Sequence, residues 1–192
     1  MRRLHLEKKG IRGLGIAESF RQDSEKSFLA GVIMSNDLII DGFVTGSATI
    51  KGNDATDEII SMYNKLDRTD ISYLVISGIV ISLYNMVDVK KIYESVGIPT
   101  IGVTYNDSGS LDDTIKKHFP DNFEEKINLY RKTGVREKIS LKTGIDLFVR
   151  FEGCTISECT QLLSKITKPD SIPEPLRVAQ FLAKAILQTA QS

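Results

Sequence analysis

The apolar residues of this chain change period once, near residue 50, and that change restricts the fold more than any other feature. Before it, short apolar runs alternate with polar turn signals, and segments 11–17, 28–34 and 38–45 read as three strands. The links between them, Ser19 to Lys26 and Ser35-Asn36-Asp37, are too short for a crossover, so neighbouring strands run antiparallel. After it the spacing becomes helical. Asn53 or Asp54 caps a helix, acids in its first turn suit the helix dipole, and Ile59, Ile60, Met62, Tyr63 and Leu66 form its apolar face. A strand over 73–76 ends at Ser77-Gly78, a second helix covers 86–96, and a strand covers 99–104. Strands separated by single helices pair in parallel through right-handed crossovers.

Three antiparallel strands followed by two parallel βα units is the element order of the ribonuclease H-like fold. An α/β architecture with such a mixed sheet, flanked by helices, is therefore expected. Helices over 111–119 and 123–132, a hairpin of 137–141 with 146–150 about Thr143-Gly144, and closing helices over 156–166 and 174–189 complete it. Pro173 and Pro175 stand at the start of the last helix, where proline is tolerated. The 192 residues, without repeats or linkers, suit a single domain over 1–192. No apolar stretch approaches the roughly 18 residues needed to cross a bilayer. Residues 1–9 are charged and lack an apolar segment behind them, which argues against a secretory signal and for a cytoplasmic protein without membrane partners. Cys154 and Cys159, five apart, read as reduced thiols. With 25 basic and 25 acidic residues the net charge is zero, which disfavours non-specific coating of nucleic acid but leaves room for a local basic groove.

In a sheet of this kind the first and fourth strands lie side by side. Acids at their ends hold one or two Mg²⁺ ions, for which Mn²⁺ substitutes, and the metal activates water against a phosphodiester. Glu18, directly after the first strand, is the foremost catalytic and metal-ligating candidate. Asp54 is the second, because Gly52-Asn53-Asp54 can bring backbone close to a phosphate; Asp57 shares its helical face, and Asp41, a charge inside an apolar strand, is a third metal ligand. Each also has a plain structural reading as a strand-end, cap or dipole residue. Ser77 occupies the end of the fourth strand, where a nuclease wants an acid, and Asp88 in the next helix is a spatial substitute. Parallel strands deliver their C-terminal ends to one rim, so Ser77, Tyr84, Tyr105 and Arg136 form the candidate substrate-binding set, the tyrosines either stacking on a base or packing as ordinary half-buried side chains. Basic residues cluster at Arg2, Arg3, Lys8, Lys9 and Arg12, and at Arg131, Lys132, Arg136 and Lys138, either as solvated surface or as a strip of phosphate-backbone contacts; Arg150 and Arg177 stand apart. His5 and His118 have no triad partners, there is no Gly-x-Ser-x-Gly elbow or P-loop, and Gly13-Leu14-Gly15 lacks the third glycine of a dinucleotide loop.

Leu74-Val75-Ile76-Ser77-Gly78, followed by Gly97-Ile98-Pro99-Thr100-Ile101-Gly102-Val103, resembles endonuclease V. Over nearly all of 8–190 the chain more closely resembles a largely archaeal endonuclease V-like family. The likeness is carried by Ile11-Arg12-Gly13-Leu14-Gly15-Ile16-Ala17-Glu18-Ser19-Phe20, Asp41-Gly42-Phe43, Asn53-Asp54-Ala55-Thr56-Asp57 and Pro173-Glu174-Pro175-Leu176-Arg177-Val178-Ala179. The resemblance implies a metal-dependent cut in nucleic acid at or near deaminated bases. Set against the endonuclease V pattern, the first-strand acid falls at Ala17 with Glu18 one residue on, the fourth-strand acid at Ser77, and a lysine at Tyr105. A one-residue shift on a strand turns a side chain to the other face, so Glu18 needs a bulge to reach the same centre. Two functions follow as expectations. One is a divergent Mg²⁺-dependent nuclease acting on DNA or RNA phosphodiesters. The other is a catalytically inactive relative that binds nucleic acid or another phosphorylated ligand at the same rim.

Overall fold

The computed structural model describes Leu4, residues 10–106 and residues 111–190. His5 and the basic positions Arg2, Arg3, Lys8 and Lys9 lie outside them. Strands β1 (Arg12–Ser19), β2 (Lys26–Ser35) and β3 (Ile40–Thr49) form the antiparallel meander, with Gly15 opposite Val32 and Gly31 opposite Val44. Helix α1 (Ala55–Lys65) then leads to β4 (Ile71–Ser77), which lies parallel to β1 with Leu14 beside Leu74 and Ile16 beside Ile76. A short hairpin, β5 (Val80–Ile81) and β6 (Asn85–Met86), precedes α2 (Val89–Val96) and the parallel strand β7 (Thr100–Thr104). Helices α3 (Asp112–His118) and α4 (Phe123–Lys132), the hairpin β8 (Glu137–Ser140) and β9 (Asp146–Glu152), and helices α5 (Ile156–Ile166) and α6 (Glu174–Thr189) follow. The sheet order is β3-β2-β1-β4-β7-β9-β8, a mixed seven-stranded sheet flanked by helices, as the ribonuclease H-like reading requires.

Period-two alternation sorts the sheet into two cores. Leu14, Ile16, Leu74 and Ile76 face α1 and α2, packing with Ile59, Met62 and Ile92. Tyr73, Val75, Ile101 and Val103 face the other way, onto Cys159, Leu162, Leu163 and Ile166 of α5 and Leu176 of α6. The glycines of β1 belong to this second face. A Cβ on Gly15 would stand 2.5 Å from the Cβ of Pro175, so the absent side chain is what lets α6 lie directly on β1.

Two expectations need adjustment. The second helix starts at Val89 rather than Met86, because Asn85 and Met86 pair with Ile81 and Val80. Asp88 is therefore not inside a helix: it is the extended N-cap of α2, accepting a 2.9 Å hydrogen bond from the Lys91 amide. Cys154 and Cys159 are free thiols, and burial raises both, Cys154 to about 12.

Candidate functional site

The C-terminal ends of β1, β4 and β7 form one rim, and the sheet divides the rim into two faces. On the α6 face, Ala17 and Ser77 each lie one residue beyond the Ile16–Ile76 pair. The Ser77 hydroxyl accepts a 3.1 Å hydrogen bond from Nε2 of Gln180 on α6. Tyr105, immediately after β7, packs into the same core; its hydroxyl is buried, has no hydrogen-bond partner of normal geometry among the described residues, and has Ser77 as its polar neighbour. Burial pushes that phenol up to about 12, so it stays protonated. The three positions that the resemblance assigns to two acids and a lysine thus do converge, but as Ala17, Ser77 and Tyr105, joined by Gln180.

Glu18 points to the opposite face. The β1–β2 register runs without interruption from Arg12 to Ser19, so no bulge returns it to the side of Ser77. Its carboxylate accepts from the Ser82 amide at 2.8 and 3.0 Å and from the Ser82 hydroxyl at 2.7 Å, and the Ser27 hydroxyl lies 2.6 Å from that of Ser82. Burial raises the Glu18 carboxyl above the usual range, and these hydrogen bonds oppose the rise.

The backbone that Glu18 holds is unusual. Ser82, Leu83 and Tyr84, the tip of the β5–β6 hairpin, have φ of +46°, +52° and +72°, three consecutive left-handed residues with side chains. Such residues cost about 1–2 kcal/mol each, so the turn persists only under strong restraint. The restraint comes from both ends. At the first residue the amide meets the Glu18 anion; at the last, the Tyr84 carbonyl accepts from the Lys126 ammonium at 3.2 Å. Between them the Lys51 amide donates to the Ser82 carbonyl at 2.7 Å. A helix is stabilised by an anion at its amide end and a cation at its carbonyl end, and this single left-handed turn follows the same rule.

Lys126 is 2% exposed. Its other acceptors are the carbonyls of Lys51 and Gly52, at 3.1 and 2.8 Å, and Oδ1 of Asn53 at 2.6 Å. Burial lowers its ammonium below the usual lysine range. The Tyr84 ring completes the cluster, 5.3 Å from His118 and from Phe119.

Asp54 precedes α1 but does not cap it with its side chain. Its carboxylate instead accepts from the Thr49 amide at 2.9 Å, the Thr49 hydroxyl at 2.6 Å and Nδ2 of Asn85 at 2.6 Å. Burial works against its charge, yet these bonds hold the carboxyl below the usual range. Asp57 pairs with Lys91 of α2 at 2.5 Å. Asp41 lies at the far end of the sheet, between Arg12, the first residue of β1, and Arg68, whose Nη2 is 2.8 Å away. These two arginines, Arg68 foremost, lower its carboxyl.

Mg²⁺ demands carboxylate oxygens with lone pairs directed at a common octahedral centre. Here Glu18 faces Ser82, Asp54 faces Thr49 and Asn85, Asp57 faces a lysine and Asp41 faces two arginines. Among the described residues no group of three His, Cys, Asp or Glu side chains is placed to hold a metal ion. The donor set does not fit a carboxylate-bound metal pair.

Next to this hairpin, on the same face as Glu18, a cavity of about 220 Å³ opens where β4 and β7 end, bounded by Gly78, Thr104, Tyr130, Arg136 and Arg150 among others. Lys126, Ser82, Gln180 and Arg150 were not singled out from sequence as site residues. Only Arg150 left a signal, as a charge within the apolar run Leu147-Phe148-Val149-Arg150-Phe151.

The endonuclease dU family model matches residues 9–187. The chain belongs to the endonuclease dU family. It is 31% identical over 185 residues to a UPF0215 protein of Pyrococcus horikoshii, covering 94% of each chain. Among solved structures it superposes on a protein of unknown function from Archaeoglobus fulgidus with a TM-score of 0.76 and 26% identity, covering 92% of this chain and 98% of that one. It also superposes on Ciona intestinalis endonuclease V, solved in complex with a 24mer DNA containing an inosine followed by a ribo-adenosine. There the TM-score is 0.64 at 16% identity, covering 99% of this chain and 92% of the other. That likeness establishes a shared fold. No helix among the described residues is long and apolar enough to cross a membrane.

Proposed function

We propose that this member of the endonuclease dU family recognises nucleic acid carrying a deaminated base, deoxyuridine foremost, at the rim formed by β1, β4 and β7. One observation carries the reading: at the strand ends, Ser77, Tyr105 and Gln180 form an uncharged polar cluster beside the apolar Ala17, while the acids of the rim are held by internal donors. Uncharged hydroxyl and amide groups suit hydrogen bonding to a base or backbone, whereas Mg²⁺-assisted hydrolysis relies on carboxylate ligands. Tyr84 at the hairpin tip, with Arg136 and the α4 basic residues beside the rim, supplies stacking and phosphate contacts.

The family name supports a second reading, endonuclease action, in which Glu18 and Asp54 take part through a rearranged hairpin. Fluorescence anisotropy with deoxyuridine, inosine and unmodified oligonucleotides, alongside cleavage with Mg²⁺ or Mn²⁺, separates the two. Binding is expected to favour the deaminated strands and to weaken log-linearly with salt. Cleavage that disappears in Glu18→Gln and Asp54→Asn overturns the binding-only reading in favour of the second.

A further inference from the structure

The sheet ends in two unlike edges. At one side, β8 is short and exposes Glu137 and Lys138, the form in which edges are usually guarded against pairing. At the other, β3 runs for ten residues, and from Gly42 to Ile50 the chain carries no charge. The Ile50 amide donates to the Glu25 carbonyl at 2.9 Å, so the even-numbered residues from Val44 onward turn their main-chain groups to β2. Those of Phe43, Thr45, Ser47 and Thr49 turn outward. Thr49 is satisfied within the chain: its amide donates to Asp54 at 2.9 Å, and its carbonyl accepts from the Gly52 amide at 3.0 Å and from Nδ2 of Asn85 at 2.9 Å. At the opposite end Asp41 is bulged out of the register, and its carbonyl accepts from Nη1 of Arg68 at 3.2 Å. Between these closed ends, the outward groups of Phe43, Thr45 and Ser47 form an open ladder. Their side chains share the face away from α1, since Val44 packs into the α1 core and a Cβ on Gly46 would meet Met62. Helix α6 crosses β1 and β2 on that face and leaves Phe43 53% exposed.

We propose that this edge pairs with the same edge of a second copy of the chain, antiparallel about a two-fold axis at Thr45. Hydrogen bonding, shape and charge each select that occupant. The open residues are spaced symmetrically about Thr45, so Phe43 meets the partner's Ser47, Thr45 meets the partner's Thr45, and each pair exchanges an N–H···O bond in both directions. Moving the axis by one residue either way brings the closed groups of Asp41 or Thr49 into the seam and loses a pair. The same register sets Phe43 against the partner's Ser47 and Val44 against the partner's Gly46, a large side chain beside a small one on each face. Identical edges meet without repulsion where they are neutral, as this one is from Gly42 to Ile50. At the ends of the seam, Asp41 with its two arginines comes opposite the partner's Thr49, which is bonded to the carboxylate of Asp54, so guanidiniums face an acid. So short a seam belongs with interfaces below about 1,200 Å² in total, for which a micromolar dissociation constant is expected. Both β1 and β3 are antiparallel to β2, so the rims of the two copies face opposite ways. Each rim then works alone, and the proposal stands apart from the recognition reading.

Sedimentation velocity from about 1 μM to 1 mM, the span in which such an interface fills, should show a monomer–dimer equilibrium. Thr45→Lys sets two ammonium groups directly opposite each other and should keep the chain monomeric over that span. The variant should stay folded, because Thr45 is exposed and its main-chain groups turn away from β2. The register is read by oxidation with oxidised glutathione, with the wild type and its Cys154 and Cys159 as control. Thr45→Cys brings two Cα atoms about 5.5 Å apart and should form an intermolecular disulfide. Ser47→Cys lies more than about 13 Å from its own copy and should not. A monomer at every concentration, a dimer that persists in Thr45→Lys, or equal crosslinking at both positions overturns the proposal. Assemblies larger than a dimer overturn it as well, since an isologous edge closes on itself.

Discussion

Glu18, the last residue but one of β1, and Ser77, the last of the adjacent parallel strand β4, point to opposite faces of the sheet: Ser77 is bonded to Gln180 on α6, and Glu18 to Ser82 in the β5–β6 hairpin. The one-residue offset between Ala17 and Glu18 has converted a strand-end acid into an anchor for a strained turn.

Replacing Glu18 by Ala should cost about 1–3 kcal/mol, since the Ser82 amide and hydroxyl lose a charged acceptor. The pH dependence has a defined sign. The folded carboxyl titrates above its unfolded value of about 4.5, so the folded state binds the proton more tightly. The associated stability is present at low pH and declines as pH rises through the interval above 4.5. Chemical denaturation from pH 4 to 8 should show this decline in the wild type and a flatter profile in Glu18→Gln.

Lys126→Met keeps the length of the side chain but deprives three carbonyls and the Asn53 side chain of their donor. A loss of about 2–4 kcal/mol is expected from several buried acceptors left unpaired. Hydrogen exchange at residues 82–85 should accelerate more than exchange in β1 or β4. Equal acceleration everywhere would show that Lys126 does not act through the hairpin.

Glu174, 3% exposed at the start of α6, accepts from Arg177 at 2.5 and 2.8 Å and from Lys168 at 2.9 Å. Arg177 foremost, then Lys168, holds its carboxyl at about 2 against the effect of burial. The stabilisation is complete above the unfolded value near 4.5 and is lost as pH falls toward 2. Glu174→Gln should remove about 2–3 kcal/mol at neutral pH and much less at pH 2.5.

Gly15→Ala places a methyl 2.5 Å from Cβ and 2.8 Å from the carbonyl carbon of Pro175. Backbone on one side cannot yield as a flexible side chain would, so α6 must lift. The expected cost is about 1–3 kcal/mol, seen as a lower urea midpoint with an unchanged slope.

Asp41→Asn disrupts the Arg12–Asp41–Arg68 cluster at the end of the sheet away from the rim. Nucleic-acid affinity should be unchanged within error. A loss comparable to that of a rim variant would place the binding surface at the wrong end of the sheet.

The sheet was readable from the sequence because its signals are local: alternation in the meander, capping acids before α1, a prolyl start to α6. The site was less readable because its chemistry depends on which face a side chain takes and on partners far along the chain. Glu18 acts on Ser82, and Lys126 reaches Tyr84 and Gly52; no spacing rule links such positions. The left-handed run at Ser82, Leu83 and Tyr84 carries no glycine or asparagine to announce it. Arg150, by contrast, stood out as a charge in an apolar strand, but the Gly134 carbonyl and the Tyr130 ring that it meets are visible only in three dimensions.

The parallel seam between β1 and β4 bears on how the chain reaches this state. The meander closes through two short turns, whereas pairing Leu14 with Leu74 must wait for everything between them, α1 included. Closing that loop costs chain entropy before the seam returns any contact energy. The centre of the sheet is therefore a late event in folding, and β1, with its glycine-bearing face bare until α6 docks, is the strand most open to mispairing meanwhile.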